Sequence, residues 1–331
     1  MLILNADDVR QSLSMSEAVA AMKLAFAALS DGRAVVPQRV HLPIKRNNGI
    51  SLFMPAFVDD PDPDKQALTI KSVSLFDENL SRGLARIQAA VLVLAPDTGQ
   101  PTALLEGATL TAIRTAAASG AATDLLARQN STNLAILGAG VQARSHLAAM
   151  CAVRPIESVR VYSLRRSKVQ ALIDEFSRQS GFAGTLRVAT SPSDAIANAD
   201  IICATTTSSN PVFSDGDVKC GAHINAVGSY TPQAREVPAE TVVRSFVVVD
   251  DRAAAWQEAG DLIQPFQAGL IERDHVRAEV GELVLKRHAG RTNDLQITFF
   301  KSVGSAVQDA FAARTALDNA QRRGLGQSVR W

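Results

Sequence analysis

The chain has little of what a metal site or a disulfide framework needs. Its three cysteines, Cys151, Cys203 and Cys220, are odd in number and lack CxxC spacing, which predicts reduced core thiols in a cytoplasmic protein. Five scattered histidines with no HExxH predict no bound zinc. Neither sign of charge dominates: 34 Lys and Arg stand against 33 Asp and Glu. A net +1 gives no bulk attraction to nucleic acid or to an anionic membrane. No apolar run approaches the ~20 residues of a membrane span. The opening MLILNADDVRQSLSM has no basic n-region and reaches Asp7 and Asp8 at once, so it does not read as a signal peptide. Repeats and low-complexity linkers are absent.

What is present is a globular balance, 47% apolar and 20% charged, over 331 residues. That length predicts about two domains. Residues 16–31 have helical spacing, with Ser16 as the cap. The segments VVPQRVHLPI, SLFMPAFV, ALTIKSVSLF and IQAAVLVLA read as strands of a mixed or antiparallel sheet. Residues 106–128 form a helix dense in Ala, Thr and Ser. From residue 133 short apolar strands alternate with helices, which implies a doubly wound parallel sheet covered on both faces. The stretch TFFKSVGSAVQDAFAARTAL near the end reads as helical, and its Ala/Val stripe needs a partner, so it is expected to return to the first domain.

The first strand and helix of the alternating region carry LGAGVQARSH, where Gly138, Gly140 and Ala143 fit G-x-G-x-x-A. The first glycine allows a tight turn, and the second lets backbone approach a pyrophosphate at the helix N-terminus. Where an NAD-binding chain has an acid after the second strand, this one reads VRVYSLRRSK. Ser163 followed by Arg165 and Arg166 suits a 2′-phosphate, so NADPH is expected in preference to NADH. The run Thr205–Thr206–Thr207 ends a later strand on the same side, within reach of phosphate or ribose.

Three cations lie in apolar or small-residue company: Arg39 in VVPQRVHL, Lys71 in ALTIKSVSL and Arg114 in the Ala/Thr helix. Lys71 shares a strand face with Val73 and Leu75. Such charges are expensive unless paired; if they converge, they would hold a small carboxylate. Glu258 and Asp261, in WQEAGD, follow what reads as the last strand of the sheet, at the edge where ligands bind in such folds. The segment INAVGSYTP, residues 224–232, ends a buried strand in small and hydroxyl groups, with neither acid nor base among them.

In order, PQRVHL, KSVSLF, LLEGATLTAIRTAAAS, AILGAGVQARSH, INAVGSYTP, EAGD and FKSVGSAVQD span nearly the whole chain. This series resembles the ornithine cyclodeaminase/mu-crystallin family. The resemblance implies a homodimer with an α+β substrate-binding and dimerisation domain, residues 1–118 with 301–331, and an NAD(P)-binding Rossmann domain, residues 119–300. It implies that Arg39, Lys71 and Arg114 hold the substrate carboxylate. It assigns Val141 and Gln142 to the pyrophosphate, and Arg86, Thr115, Thr205, Val227 and Gly228 to the coenzyme. Ser229 and Tyr230 would shape the pocket, with Glu258 orienting substrate or nicotinamide.

Cyclodeaminases of the family carry Gly-Gly-Asp in the loop where this chain has Gly-Ser-Tyr. A phenol, with an ordinary pKa of about 10, is no base at neutral pH. The GSYTP form is instead similar to members that reduce Δ1-pyrroline-2-carboxylate and Δ1-piperideine-2-carboxylate. The expected activity is therefore NAD(P)H-dependent reduction of a cyclic ketimine carboxylate, with Lys71 or an ordered water giving the nitrogen its proton. Ornithine cyclodeaminase, an alanine dehydrogenase-like enzyme and a non-enzymatic NADPH- or ligand-binding protein are the alternatives.

Overall fold

The computed structural model describes residues 1–330. The chain divides into two compact units, Met1–Arg114 with Ser305–Trp331, and Thr115–Gly304. The elements of the first unit begin with β1 (Leu2–Leu4), α1 (Ala6–Ser12), α2 (Met15–Ser30), β2 (Ala34–Val35), β3 (Val40–Ile44) and β4 (Gly49–Val58). They continue with β5 (Ala67–Phe76), β6 (Ile87–Leu94), β7 (Pro101–Glu106) and the start of α3 (Gly107–Leu126). The second unit holds β8 (Asn133–Leu137), α4 (Val141–Val153), β9 (Ser158–Tyr162), α5 (Arg166–Ser180), β10 (Thr185–Val188), α6 (Pro192–Ile196) and β11 (Ile201–Ala204). It goes on with β12 (His223–Ala226), α7 (Ala239–Val243), β13 (Ser245–Val249), α8 (Arg252–Glu258), α9 (Gly260–Gln267), β14 (Val276–Glu279), α10 (Val280–Val284) and β15 (Ile297–Lys301). The chain then re-enters the first unit as α11 (Ala306–Arg323) and β16 (Gln327–Ser328).

The first unit is a mixed sheet in the order β16-β1-β7-β6-β5-β4-β2, with β3 also on β4. All its pairs are antiparallel except β1 with β7. One face of β4 and β5 (Leu52, Met54, Ala56, Ala67, Val73) packs on α11 through Ala306, Val307 and Ala310. The small side chains of α11 let it lie close to the strands, so a polar group on that helix face is sealed from water. The cap of α2 differs from expectation. It is Ser14, not Ser16, whose hydroxyl accepts from the Glu17 amide while Glu17 reaches back to the Ser14 amide. This reciprocal box satisfies two free amides at once, which a lone Ser16 could not.

The second unit is an all-parallel eight-stranded sheet, β10-β9-β8-β11-β12-β15-β13-β14. Its central strands are buried along their whole length, β11 and β12 at every residue, as strands covered on both faces must be. Here the structure corrects two expectations. Residues 298–301, TFFK, are not helical; with Ile297 they form β15, a wholly buried central strand between β12 and β13. An apolar run this short carries no period that separates strand from helix, and pairing on both edges decides it. Consequently WQEAGD does not follow the last strand: β14 and β15 come later in the chain. The cysteines also differ: only Cys203 is buried, Cys151 is half-buried and Cys220 is exposed. Among the described residues no single helix is long and apolar enough to cross a membrane.

Candidate functional site

In the first unit, Lys71 points from the α11-facing side of β5 and is 1% exposed. Its ammonium meets Asp309 Oδ2 of α11 at 2.5 Å. Arg114, near the middle of α3, donates from Nε to Asp309 Oδ1 at 3.0 Å and from Nη1 to Gln308 Oε1 at 2.6 Å. Two buried cations thus share one buried carboxylate. Burial, with Arg114 and Arg39 nearby, brings the Lys71 ammonium down to about 8, against the pull of Asp309. Burial pushes the Asp309 carboxyl up, but Arg114 and Lys71 outweigh it and hold it below its usual range. Arg39 is half-buried in the segment between β2 and β3. The structure therefore brings the three sequence-selected cations into one field, with an excess of positive charge over the single Asp309. Arg114 Nη2 makes no hydrogen bond among the described residues. Gln308 and Asp309 were assigned no role from sequence. Their signal was an amide and an acid on the apolar stripe of a helix, in AVQDAF.

Arg86 precedes β6, half-buried, and pairs with Asp77. Thr115 is half-buried in α3, as the first residue of the second unit.

In the second unit, Gly138 ends β8 at φ +118°, and a Cβ there would lie 2.7 Å from the Thr205 carbonyl and hydroxyl oxygens. Only glycine permits this turn. Gly140 opens α4, no side chain caps that helix, and nothing lies within 4 Å of where a Gly140 Cβ would be. Val141 is exposed, and Gln142 Oε1 is buried without a hydrogen-bond partner. An open helix N-terminus with bare amides and an orphaned acceptor beside it fits a dinucleotide pyrophosphate. Ser163 follows β9, half-buried; Arg165 and Arg166 are exposed, and neither guanidinium has a partner among the described residues. Thr205 is buried, its hydroxyl donating to the Leu137 carbonyl at 3.0 Å. Val227 continues β12, its amide on the Ala204 carbonyl at 3.1 Å.

The GSYTP loop is held from beneath. Glu236 accepts from the Gly228 and Ser229 amides at 2.7 and 3.2 Å. The Ser229 hydroxyl is turned inward, onto the Ala234 carbonyl and Asp261, at 2.8 and 2.9 Å. It is a strut of the loop; the side chain that faces outward there is Tyr230, 40% exposed. The fully buried Lys301 ammonium meets Asp261 at 2.8 Å and the Ser229 carbonyl at 2.5 Å. Asp261 is thus a buried structural anion. Glu258 ends α8, half-buried. Glu236 and Lys301 escaped the sequence reading. Lys301 ends an apolar run read as helix, and Glu236 sits in a loop with no pattern around it.

A parallel sheet with a glycine turn at its carboxyl edge, joined to a mixed sheet carrying buried cations, defines a two-unit protein built on a Rossmann-type sheet. The model of the ornithine cyclodeaminase/mu-crystallin family matches residues 1–324, and the chain belongs to that family. It is 38% identical over 330 residues to the Δ1-pyrroline-2-carboxylate reductase of Bacillus cereus, covering 99% of both chains. The Δ1-pyrroline-2-carboxylate reductase of Thermococcus litoralis, solved with NADH and L-proline, superposes with a TM-score of 0.94 at 40% identity, over 99% of this chain and 100% of that one. An archaeal alanine dehydrogenase dimer with bound NAD gives 0.91 at 29% identity, over 100% and 99%.

Proposed function

We propose that the protein is an NAD(P)H-dependent reductase of a cyclic ketimine carboxylate, converting Δ1-pyrroline-2-carboxylate to L-proline, and that it works as a homodimer. The observation that carries the reading is the buried pair of cations on one carboxylate, which leaves Arg114 Nη2 and a net positive field for a substrate carboxylate. The full-length identity to two reductases named for this substrate supports it, as does the loop that lacks an aspartate at 228–230.

In this reading Gly138, Gly140, Val141 and Gln142 hold the pyrophosphate, and Arg86, Thr115, Thr205, Val227 and Gly228 complete the coenzyme site. When bound, a reduced nicotinamide coenzyme would supply the hydride for the imine carbon, and the nitrogen would need a proton. Arg39, Lys71 and Arg114 grip the carboxylate and so fix the imine carbon; most of the catalysis is positioning of an electrophile already activated by protonation. Lys71, brought to about 8, is matched to proton donation near neutral pH. Tyr230 walls the pocket and Glu258 orients the substrate or nicotinamide.

The test is coenzyme oxidation, followed by its absorbance, with Δ1-pyrroline-2-carboxylate, beside ammonia release from L-ornithine with NAD. Reduction without ammonia release supports the proposal; ammonia and proline from ornithine would overturn it.

Two further outcomes are expected. The rate should fall as pH rises through about 8, because Lys71 loses its charge there. In Lys71→Arg the fall should move to higher pH, since a guanidinium stays charged; a profile unmoved by that change would assign the titration to the imine itself. For coenzyme choice, the unpaired Arg165 and Arg166 beside Ser163 favour the 2′-phosphate of NADPH. Ser163→Asp should then cost about 100-fold in kcat/KM with NADPH and little with NADH, by repulsion of that phosphate. Equal losses with both coenzymes would reject the assignment.

A further inference from the structure

Glu236 has no exposed surface, yet both its carboxylate oxygens are fully engaged on two different strand ends. Oε1 accepts from the Thr206 amide at 2.6 Å and the Thr206 hydroxyl at 2.7 Å. Oε2 accepts from the Gly228 and Ser229 amides at 2.7 and 3.2 Å. Thr206 follows β11 and Gly228 follows β12, which are neighbours in the parallel sheet. Where they leave the sheet the two loops touch backbone to backbone: a Cβ at Gly228 would lie 1.9 Å from the Thr206 carbonyl oxygen. Glu236 is itself pinned, because Asp261 Oδ1 accepts from the amides of Glu236 and Val237 at 2.7 and 2.9 Å. Lys301, at the end of β15, neutralises Asp261 and takes the Ser229 carbonyl.

Four donors on one carboxylate is more than an amide can serve, since the amide nitrogen accepts none. A buried carboxylate also costs desolvation, which a chain that only needed to fill this space would avoid with an apolar residue. The arrangement sits at the carboxyl edge of the sheet, where ligands of such folds bind. The groups that Glu236 and Asp261 hold, at Thr206, Gly228–Ser229 and Lys301, come from the ends of three adjacent strands, β11, β12 and β15.

We propose that Glu236 is a positioning residue for hydride transfer: it locks the Thr205–Thr207 segment to the Gly228–Tyr230 loop, so that both present a fixed surface to the coenzyme and substrate. The loop that lacks an acid of its own is set by an acid six residues after Tyr230. This rests on the reductase reading above. The wild-type assay with Δ1-pyrroline-2-carboxylate tests that reading separately: if it shows no reduction, the reading fails, while hydrogen exchange below still tests the lock.

The variant is Glu236→Gln, which keeps shape and loses acceptors. Amide hydrogen exchange at Gly228 and Ser229 should quicken at least tenfold relative to wild type. Reduction should lose at least tenfold in kcat with KM for NADH within about threefold, and a primary deuterium isotope effect from 4-deuterated NADH should rise, because the hydride step becomes slower. Thr206→Val removes one donor and keeps the backbone; it should show the same split in smaller measure, and it serves as the test if Glu236→Gln does not fold. Unchanged exchange in either folded variant overturns the lock. Quickened exchange with kcat and isotope effect unchanged, or activity lost only in proportion to folded protein, overturns the positioning role.

Discussion

Arg114→Ala is expected to lose about 1,000-fold in kcat/KM for Δ1-pyrroline-2-carboxylate, equivalent to about 4 kcal/mol, the range seen when one partner of a buried charge contact is truncated. Two of its three guanidinium nitrogens are committed, Nε to Asp309 and Nη1 to Gln308. Those bonds fix the plane of the group and aim the third nitrogen. Removing it takes away the directed donor, and leaves Asp309 with Lys71 alone. Because Asp309 keeps that partner, the variant should fold, with far-ultraviolet dichroism unchanged. Coenzyme binding should persist, since apart from Thr115 on the same helix the residues assigned to it lie on other elements. Near-normal turnover would sink the carboxylate-grip assignment. A loss of coenzyme binding equal to the loss of turnover would show damage wider than the grip.

Asp309→Ala should be the most destabilising single change among these residues. It leaves Lys71 and Arg114, both buried, with no counter-charge between them. Breaking a buried pair in this way costs about 3–5 kcal/mol. For a chain of this size that is a fall in Tm of roughly 4–7 °C. The sign of its pH dependence follows from Lys71. Its folded pKa is already lowered, to about 8, and losing Asp309 lowers it further. A lowered amine favours the neutral form in the folded state, so stability rises with pH above the folded value, up to the unfolded one. The deficit of Asp309→Ala should therefore be larger at pH 6 than at pH 9. Thermal unfolding at both values checks this; a deficit independent of pH would mean that lost packing, not unpaired charge, is the cause.

These two results would separate what the cluster does from what it costs. A carboxylate grip of the kind proposed would need an excess of positive charge, whereas the fold tolerates that excess only because Asp309 offsets part of it. Replacing the whole cluster with apolar residues could leave a chain that folds well and binds nothing, which is the usual relation between a charged site and its scaffold.

The doubly wound sheet was legible because strands buried on both faces are short apolar runs separated by helices, a pattern local to each segment. The glycine turn was legible for the same reason: Gly138, Gly140 and Ala143 lie within six residues. Lys71 and Arg114 stood out as charges in apolar company, which is a local contradiction. What pairs with them was not legible, because Asp309 lies 195 residues beyond Arg114 in the chain and only packing of α11 on the sheet brings it there. The same holds for Glu236, an unremarkable loop acid until two strand ends converge on it. TFFK was misread because so short a run has no period of its own. Sequence alone determined which segments form elements and which side chains are too costly to bury without a purpose. The tertiary structure decided the partners that make them affordable, because hydrogen bonds and charge pairs act over a few ångströms of space, whatever their separation along the chain.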